Sequence, residues 1–220
     1  MNTMKEIDMY ADLCGQGRPE GMTTEEGMKL CCQYIKEAKE ILREQDGPWK
    51  VTELVKKYIR LADWLKGYEH LTNSLYSTNE EMLDMIFEHP RLKRKLLYIQ
   101  LDVLHDIEIQ SGAPFGTTLA QTEETMKEIN FINECISLAD CGRLDEIPHI
   151  GHLRNDPVEW TAQWEKVVDE ADREAYKHLE DMPRGMGWCH GFWHERREAL
   201  ERLGVKWRSP ASMNPRVMFD

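Results

Sequence analysis

The densest run of chemically capable side chains is Gly187-Trp188-Cys189-His190-Gly191-Phe192-Trp193-His194-Glu195-Arg196-Arg197. His190 and His194 are four apart, the spacing at which a helix sets two side chains on one face. Imidazoles so placed can chelate zinc, with Cys189 or Glu195 as a further ligand. The match to known zinc motifs is poor. The zinc-peptidase pattern has glutamate directly after its first histidine, and here Gly191 stands there. A closed structural site also needs a fourth ligand, which distant residues such as Cys135 and Cys141, or His149 and His152, would have to supply. The same thiol and imidazoles can be read as nucleophile and base, but catalytic cysteines usually recruit their histidine from far along the chain.

A plainer reading competes with these. Trp188, Phe192 and Trp193 can each bury roughly 150–250 Å², so leaving them wet is costly. They are expected to anchor the last helix, with Cys189, His190 and His194 at one end of a cleft. The candidate binding patch is therefore Trp188, Cys189, His190, Trp193, His194 and Glu195. Its metal-binding subset is His190, His194 and Cys189, with zinc as the cofactor that subset would take.

A second cluster, Arg91, Lys93, Arg94 and Lys95, follows Pro90 at an expected helix start. Helix N-termini are electropositive, so cations there call for a compensating anion. The chain's own acidic residues, a phosphate or a nucleic-acid backbone would serve. The strongly negative net charge of −12 disfavours nucleic acid. The loop pair His149 and His152 reads as ordinary exposed imidazoles. Asp102 with His105, and Glu174 with His178, do not match the paired Glu-x-x-His pattern of di-iron bundles. No Gly-rich phosphate loop, G-x-S-x-G elbow or dinucleotide fingerprint occurs.

The elements that must carry these residues read as helices. Thr23 with Glu26 forms a capping box, and Met28, Cys31, Ile35, Ala38 and Leu42 then recur at three and four. Gly47-Pro48 ends that helix. A second stripe uses Leu54, Val55, Tyr58, Ala62 and Leu65. Thr78 with Glu81 predicts the next start, and Pro90 the one after, with Leu97, Leu101, Leu104 and Ile107 on its stripe. Thr118 with Gln121 predicts a fifth start, and Gly142 its C-terminal glycine. Asp156-Pro157-Val158-Glu159 predicts a sixth, carrying Trp160, Trp164, Val167, Ala171 and Leu179. The seventh runs from near Cys189 to Leu203. No strand alternation persists.

The expectation is an all-α bundle of about seven amphipathic helices with an extended C-terminal tail. It is read as a single domain over 1–220, with a weak boundary at 143–156 and a terminal helix and basic tail over 187–220. The tail, with Trp207-Arg208-Ser209-Pro210 and the run from Asn214-Pro215 to Phe219-Asp220, has the pattern of a defined module.

Charge is segmented. Residues 113–182 carry 16 acidic and 6 basic side chains, whereas 183–220 carry 4 and 7. This predicts that the tail, around Arg196, Arg197, Lys206 and Arg208, docks on acids between 145 and 181. The six cysteines are expected as free thiols, since a chain of this length can fold on its core without staples. With no apolar leader and no membrane-length apolar run, the expected compartment is the cytoplasm. The expected function is non-catalytic: binding of another protein, with nucleic acid a lesser prospect and no membrane. The alternative is a metal-binding protein or metal-dependent hydrolase centred on His190 and His194.

Overall fold

The computed structural model describes residues 9–44, 47–112 and 116–219. Among them no strand occurs, and the chain is all-α. The helices are α1 (Thr24–Glu44), α2 (Trp49–Leu65), α3 (Thr72–Leu83), α4 (Pro90–Ser111), α5 (Gly116–Asp140), α6 (Ala162–His178), α7 (Trp188–Arg202) and the single turn α8 (Pro210–Met213). The first seven are the seven expected from periodicity. No described helix is long and apolar enough to cross a membrane.

Starts and stops follow local chemistry, with three shifts from expectation. The box at α1 forms as read: Glu26 accepts from the Thr23 amide at 2.8 Å, and the Thr23 hydroxyl accepts from the Glu26 amide at 3.2 Å. Thr78, by contrast, caps nothing. It lies inside α3, where its hydroxyl donates back to the Ser74 and Leu75 carbonyls, the mid-helix habit of threonine. Thr118 is likewise already inside α5, which begins at Gly116. Asp156 does act as a cap, accepting from Val158 N, but what it starts is a short 3-10 turn. The long helix begins after Thr161, whose hydroxyl accepts from the Trp164 amide at 3.1 Å. The tail is not extended throughout, because Ser209 caps α8 and Pro210 takes its first position, where the missing N–H costs nothing.

The chain divides into two compact units. The first holds the described residues up to Glu44 and from Lys50 to Asn133, and the second holds 47–49 and Glu134 onward. The division falls within α5, and the 143–156 stretch lies inside the second unit.

The first unit closes on α1 to α4. Tyr58, Ile59, Leu65, Leu75, Met82, Leu92, Leu96, Ile99 and Leu104 are its largest sealed side chains. Gly27 of α1 sets how closely α2 approaches: a methyl group there would lie 2.6 Å from the Trp64 ring. α3 and α4 run antiparallel, joined at the buried Asn79, whose amide donates to Leu96 O (3.0 Å) and Gln100 Oε1 (2.8 Å).

The second unit is built on α6 and α7. Their contacts pair Gln163 with Leu203, Asp172 with Arg196 and His178 with Glu195, the register of an antiparallel hairpin. Its core is small: Trp164, Val168, Ala171, Ala199, Leu200, Val205 and Trp207. On α6 the buried stripe includes Val168, while Val167 is partly buried and packs at its edge.

Candidate functional site

The aromatic–histidine run occupies the first turns of α7, entered through Gly187 at φ +83°, a backbone conformation that favours glycine. Helical geometry then deals its side chains to different neighbours. Trp188 and Phe192, four apart, stack at 5.4 Å with planes 8° apart. Both meet Tyr176 of α6 edge-on, at 5.5 and 5.2 Å. Arg184 lies over both Tyr176 and Trp188, 5.1 Å from each ring. Burial pushes the Tyr176 hydroxyl above its ordinary range, as desolvation does for an ionising phenol.

Arg196 continues the same face one turn on. Its guanidinium is held by Asp172, Nε to Oδ1 at 2.7 Å and Nη2 to Oδ2 at 3.3 Å, with both side chains 5% exposed. It also lies over Trp164, Trp207 and Phe192 at 5.1, 5.2 and 5.5 Å. This one cation is thus both paired and surrounded by ring faces, each cation–π contact contributing about 0.5–2 kcal/mol.

Trp193 points elsewhere. It meets the His190 ring at 5.3 Å and the Phe219 ring at 5.2 Å, both edge-on. The His190 Nε2–H donates to the Phe219 carbonyl at 3.2 Å. An edge-on ring pair adds about 0.5–1.5 kcal/mol beyond its area. His194 is engaged separately, with Arg197 at Nδ1 (3.1 Å) and Glu198 at Nε2 (3.3 Å). Glu195 accepts from His178 Nδ1 at 2.7 Å.

The candidate patch therefore separates into parts. Trp188 joins the α6 face with Phe192, and Trp193 joins His190 and Phe219. Glu195 reaches back to α6, while His194 stays exposed among the charges of its own helix. Cys189 is half-buried, and like the other five cysteines it is unbridged. The proposed metal subset is not brought together. Among the described residues no group of three or more His, Cys, Asp or Glu side chains is placed to hold a metal ion. The spacing of four held as helix geometry, but each imidazole turned to a different partner.

The cationic cluster at α4 is answered from within the chain. Arg91 and Arg94 are buried, so they offer no surface to a phosphate backbone. Arg94 donates to Asn133 Oδ1 at 3.0 Å, and Lys93 pairs with Glu128 at 2.5 Å. Lys95 is partly buried. Of the compensating anions weighed from sequence, the chain's own acidic helix α5 is the one found here. A concavity of about 380 Å³ lies on this unit, lined by Cys32, Ile35, Lys36, Lys39, Arg43 and Glu81 among others. None of the candidate site residues lines it.

The tail docks as its charge predicts. Asp156, 5% exposed, accepts from the Arg208 amide at 2.7 Å and from its guanidinium at 3.0 and 3.3 Å. That bond raises the Arg208 pKa above its ordinary value. Trp207 Nε1 donates to Glu159 at 2.7 Å, and Arg202 pairs with Glu174 at 2.6 Å.

Sequence reasoning missed the roles of Tyr176, Arg184 and Phe219. Tyr176 and Arg184 carried no motif. Phe219 carried a faint signal, as part of a tail too rich in specific residue types to be a frayed end.

No family model, curated protein or solved structure matches this chain.

Proposed function

We propose that this chain acts by binding another protein, through the aromatic and methionine surface at the start of α7. One observation carries the reading. Met186 and Met218 are 93% and 94% exposed, each beside a ring cluster in sequence: Met186 two residues before Trp188, Met218 next to Phe219. Met182, also exposed, lies against α7 at Gly191. Methionine is flexible and polarisable, and it recurs on surfaces that adapt to a partner. Apolar groups set around aromatic anchors, with polar residues such as Arg184, His194 and Arg197 alongside, have the composition of an interface centre and rim. The compartment that suits this reading is the cytoplasm, where six unbridged thiols persist without pairing.

The test is site-specific cross-linking in cells. A photo-reactive phenylalanine analogue replaces Met186, Met218 or, as a control, the exposed Lys166 on α6. The expected result is a discrete protein adduct at Met186 and Met218 that is absent at Lys166. Adducts at none of the three, or equally at all, would defeat the proposal.

A further inference from the structure

We propose that Trp193 and His190 form a seat for one aromatic residue of an extended peptide, that the chain's own Phe219 fills it, and that a partner's segment binds by displacing Phe219. The proposal rests on the protein-binding reading above and names the occupant.

Phe219 meets the seat through two contacts of different kind. Its ring stands edge-on to Trp193 with centroids 5.2 Å apart and planes at 88°. Its main-chain carbonyl accepts from His190 Nε2 at 3.2 Å. A carbonyl can only accept, so this nitrogen must carry the proton. His190 is itself set at 86° to the Trp193 indole. One indole and one imidazole thus read both the side chain and the backbone of a single residue. Peptide recognition elsewhere divides the same labour: main-chain bonds orient the segment and a side-chain pocket selects it. Any aromatic residue in an extended segment offers the same two groups.

The segment leading to Phe219 is held at its two ends. Asn214, a buried residue, accepts from the Arg154 amide at 2.8 Å and donates to the Arg154 carbonyl at 2.9 Å. A turn follows, with the Val217 amide donating to Asn214 O at 3.0 Å. Val217 and Met218 then face solvent before Phe219 enters the seat. This is a strap pinned at 214 and again at 219, with Arg216, Val217 and Met218 outward in between. Released at Phe219, it stays tethered five residues from its anchor, so its effective concentration at the seat is of order millimolar. A partner has to outcompete that tethered ring. Exposed Met218 offers it a foothold while the seat is still filled.

The test uses the full chain and a fluorescein-labelled peptide amide of residues 214–219, Asn-Pro-Arg-Val-Met-Phe. Fluorescence polarisation is read against wild type, Phe219→Ala, Phe219→Ala with His190→Ala, and Phe219→Ala with Trp193→Ala. The peptide should bind Phe219→Ala at least about tenfold more tightly than wild type, where the tethered copy competes. That gain should disappear with Trp193→Ala and shrink with His190→Ala. A peptide whose phenylalanine is replaced by alanine should not bind. His190 is exposed, so its variant keeps the test valid if Trp193→Ala alters the helix, which circular dichroism reports. Equal binding to all four proteins, or to both peptides, overturns the proposal. Failure of the peptide alongside intact adducts at Met186 and Met218 overturns the seat and leaves the protein-binding surface in place.

Discussion

In the first unit, the sealed side chains are mostly aliphatic: Leu65, Leu75, Leu92, Leu96 and Ile99, drawn from three helices. In the second, two indoles, Trp164 and Trp207, close around the Arg196–Asp172 pair. The contrast follows from size. A unit with four helices and most of a fifth has enough apolar area to exclude water by itself, whereas a helical hairpin with a strap has little interior to share. Large rings give the hairpin most burial per residue. The arginine lies over the faces of these rings, and Asp172 neutralises it. The first unit buries polar groups too, the guanidiniums of Arg91 and Arg94 among them, but among the described residues it gathers no rings around a buried ion pair. Its neutral pairs, Asn79 with Gln100 and Tyr58 with Thr78 at 3.2 Å, lie between helices.

The sharpest way to break this contrast is to remove the charge. Arg196→Ala strands a buried carboxylate and vacates the space among three rings. It should cost about 3–5 kcal/mol, as buried pairs do when one member is lost. Arg196→Met with Asp172→Leu should recover much of that, because the uncompensated charge is gone. Urea unfolding followed by tryptophan fluorescence measures both, and a loss below about 1 kcal/mol for the single variant would show that the rings alone hold the second unit. Smaller is the effect of freeing the strap. Asp156→Ala removes the acceptor for the Arg208 backbone and side chain, and should cost about 1.5–3 kcal/mol, with exposure of Trp207 to acrylamide quenching. An unchanged quenching constant would mean that Trp207 is held by its rings and by Glu159 instead.

The smallest effect belongs to the first unit and depends on pH. Burial pushes the Cys31 thiol up from 9.0 to about 12. The folded state therefore favours the neutral form, and the unfolded state ionises first. This contribution is intact below about pH 9 and is lost as pH rises from about 9 to 12. At pH 9.5 the loss is under about 1 kcal/mol, and Cys31→Ala should abolish it. Iodoacetamide at that pH should modify exposed Cys32 while sparing Cys31. Equal alkylation rates would show that the first unit opens more readily than its aliphatic core implies.

Much of this architecture was legible in residue order because helices are local. Spacing of three and four gave the stripes of α1, α2 and α4. Thr23 with Glu26 marked a start, and Gly142, at φ +71°, marked a stop. Segmented charge predicted the tail's docking, since unlike charges on one chain tend to meet. The same local reasoning failed at Thr78, where a capping pattern sat inside a helix. Nothing within four residues distinguishes a threonine that caps from one that bonds back along its own helix. That choice was made by packing: Thr72 and Leu75 are buried, which extends α3 by a turn and a half ahead of Thr78.

The site shows the same limit more strongly. Residue order established that Trp188, His190, Phe192, Trp193 and His194 share one helix, and that His190 and His194 share a face. It could not establish what stood opposite. Tyr176 faces Trp188 and Phe192 because α6 returns antiparallel to α7. Phe219 faces Trp193 and His190 because Asn214 pins the strap to Arg154, sixty residues away in sequence. Likewise Arg91 and Arg94 looked like a surface patch until the helix was packed and turned them inward. A helix fixes the direction of each side chain from its own backbone, but its neighbours come from chain closures over tens of residues, and those are decided by tertiary packing.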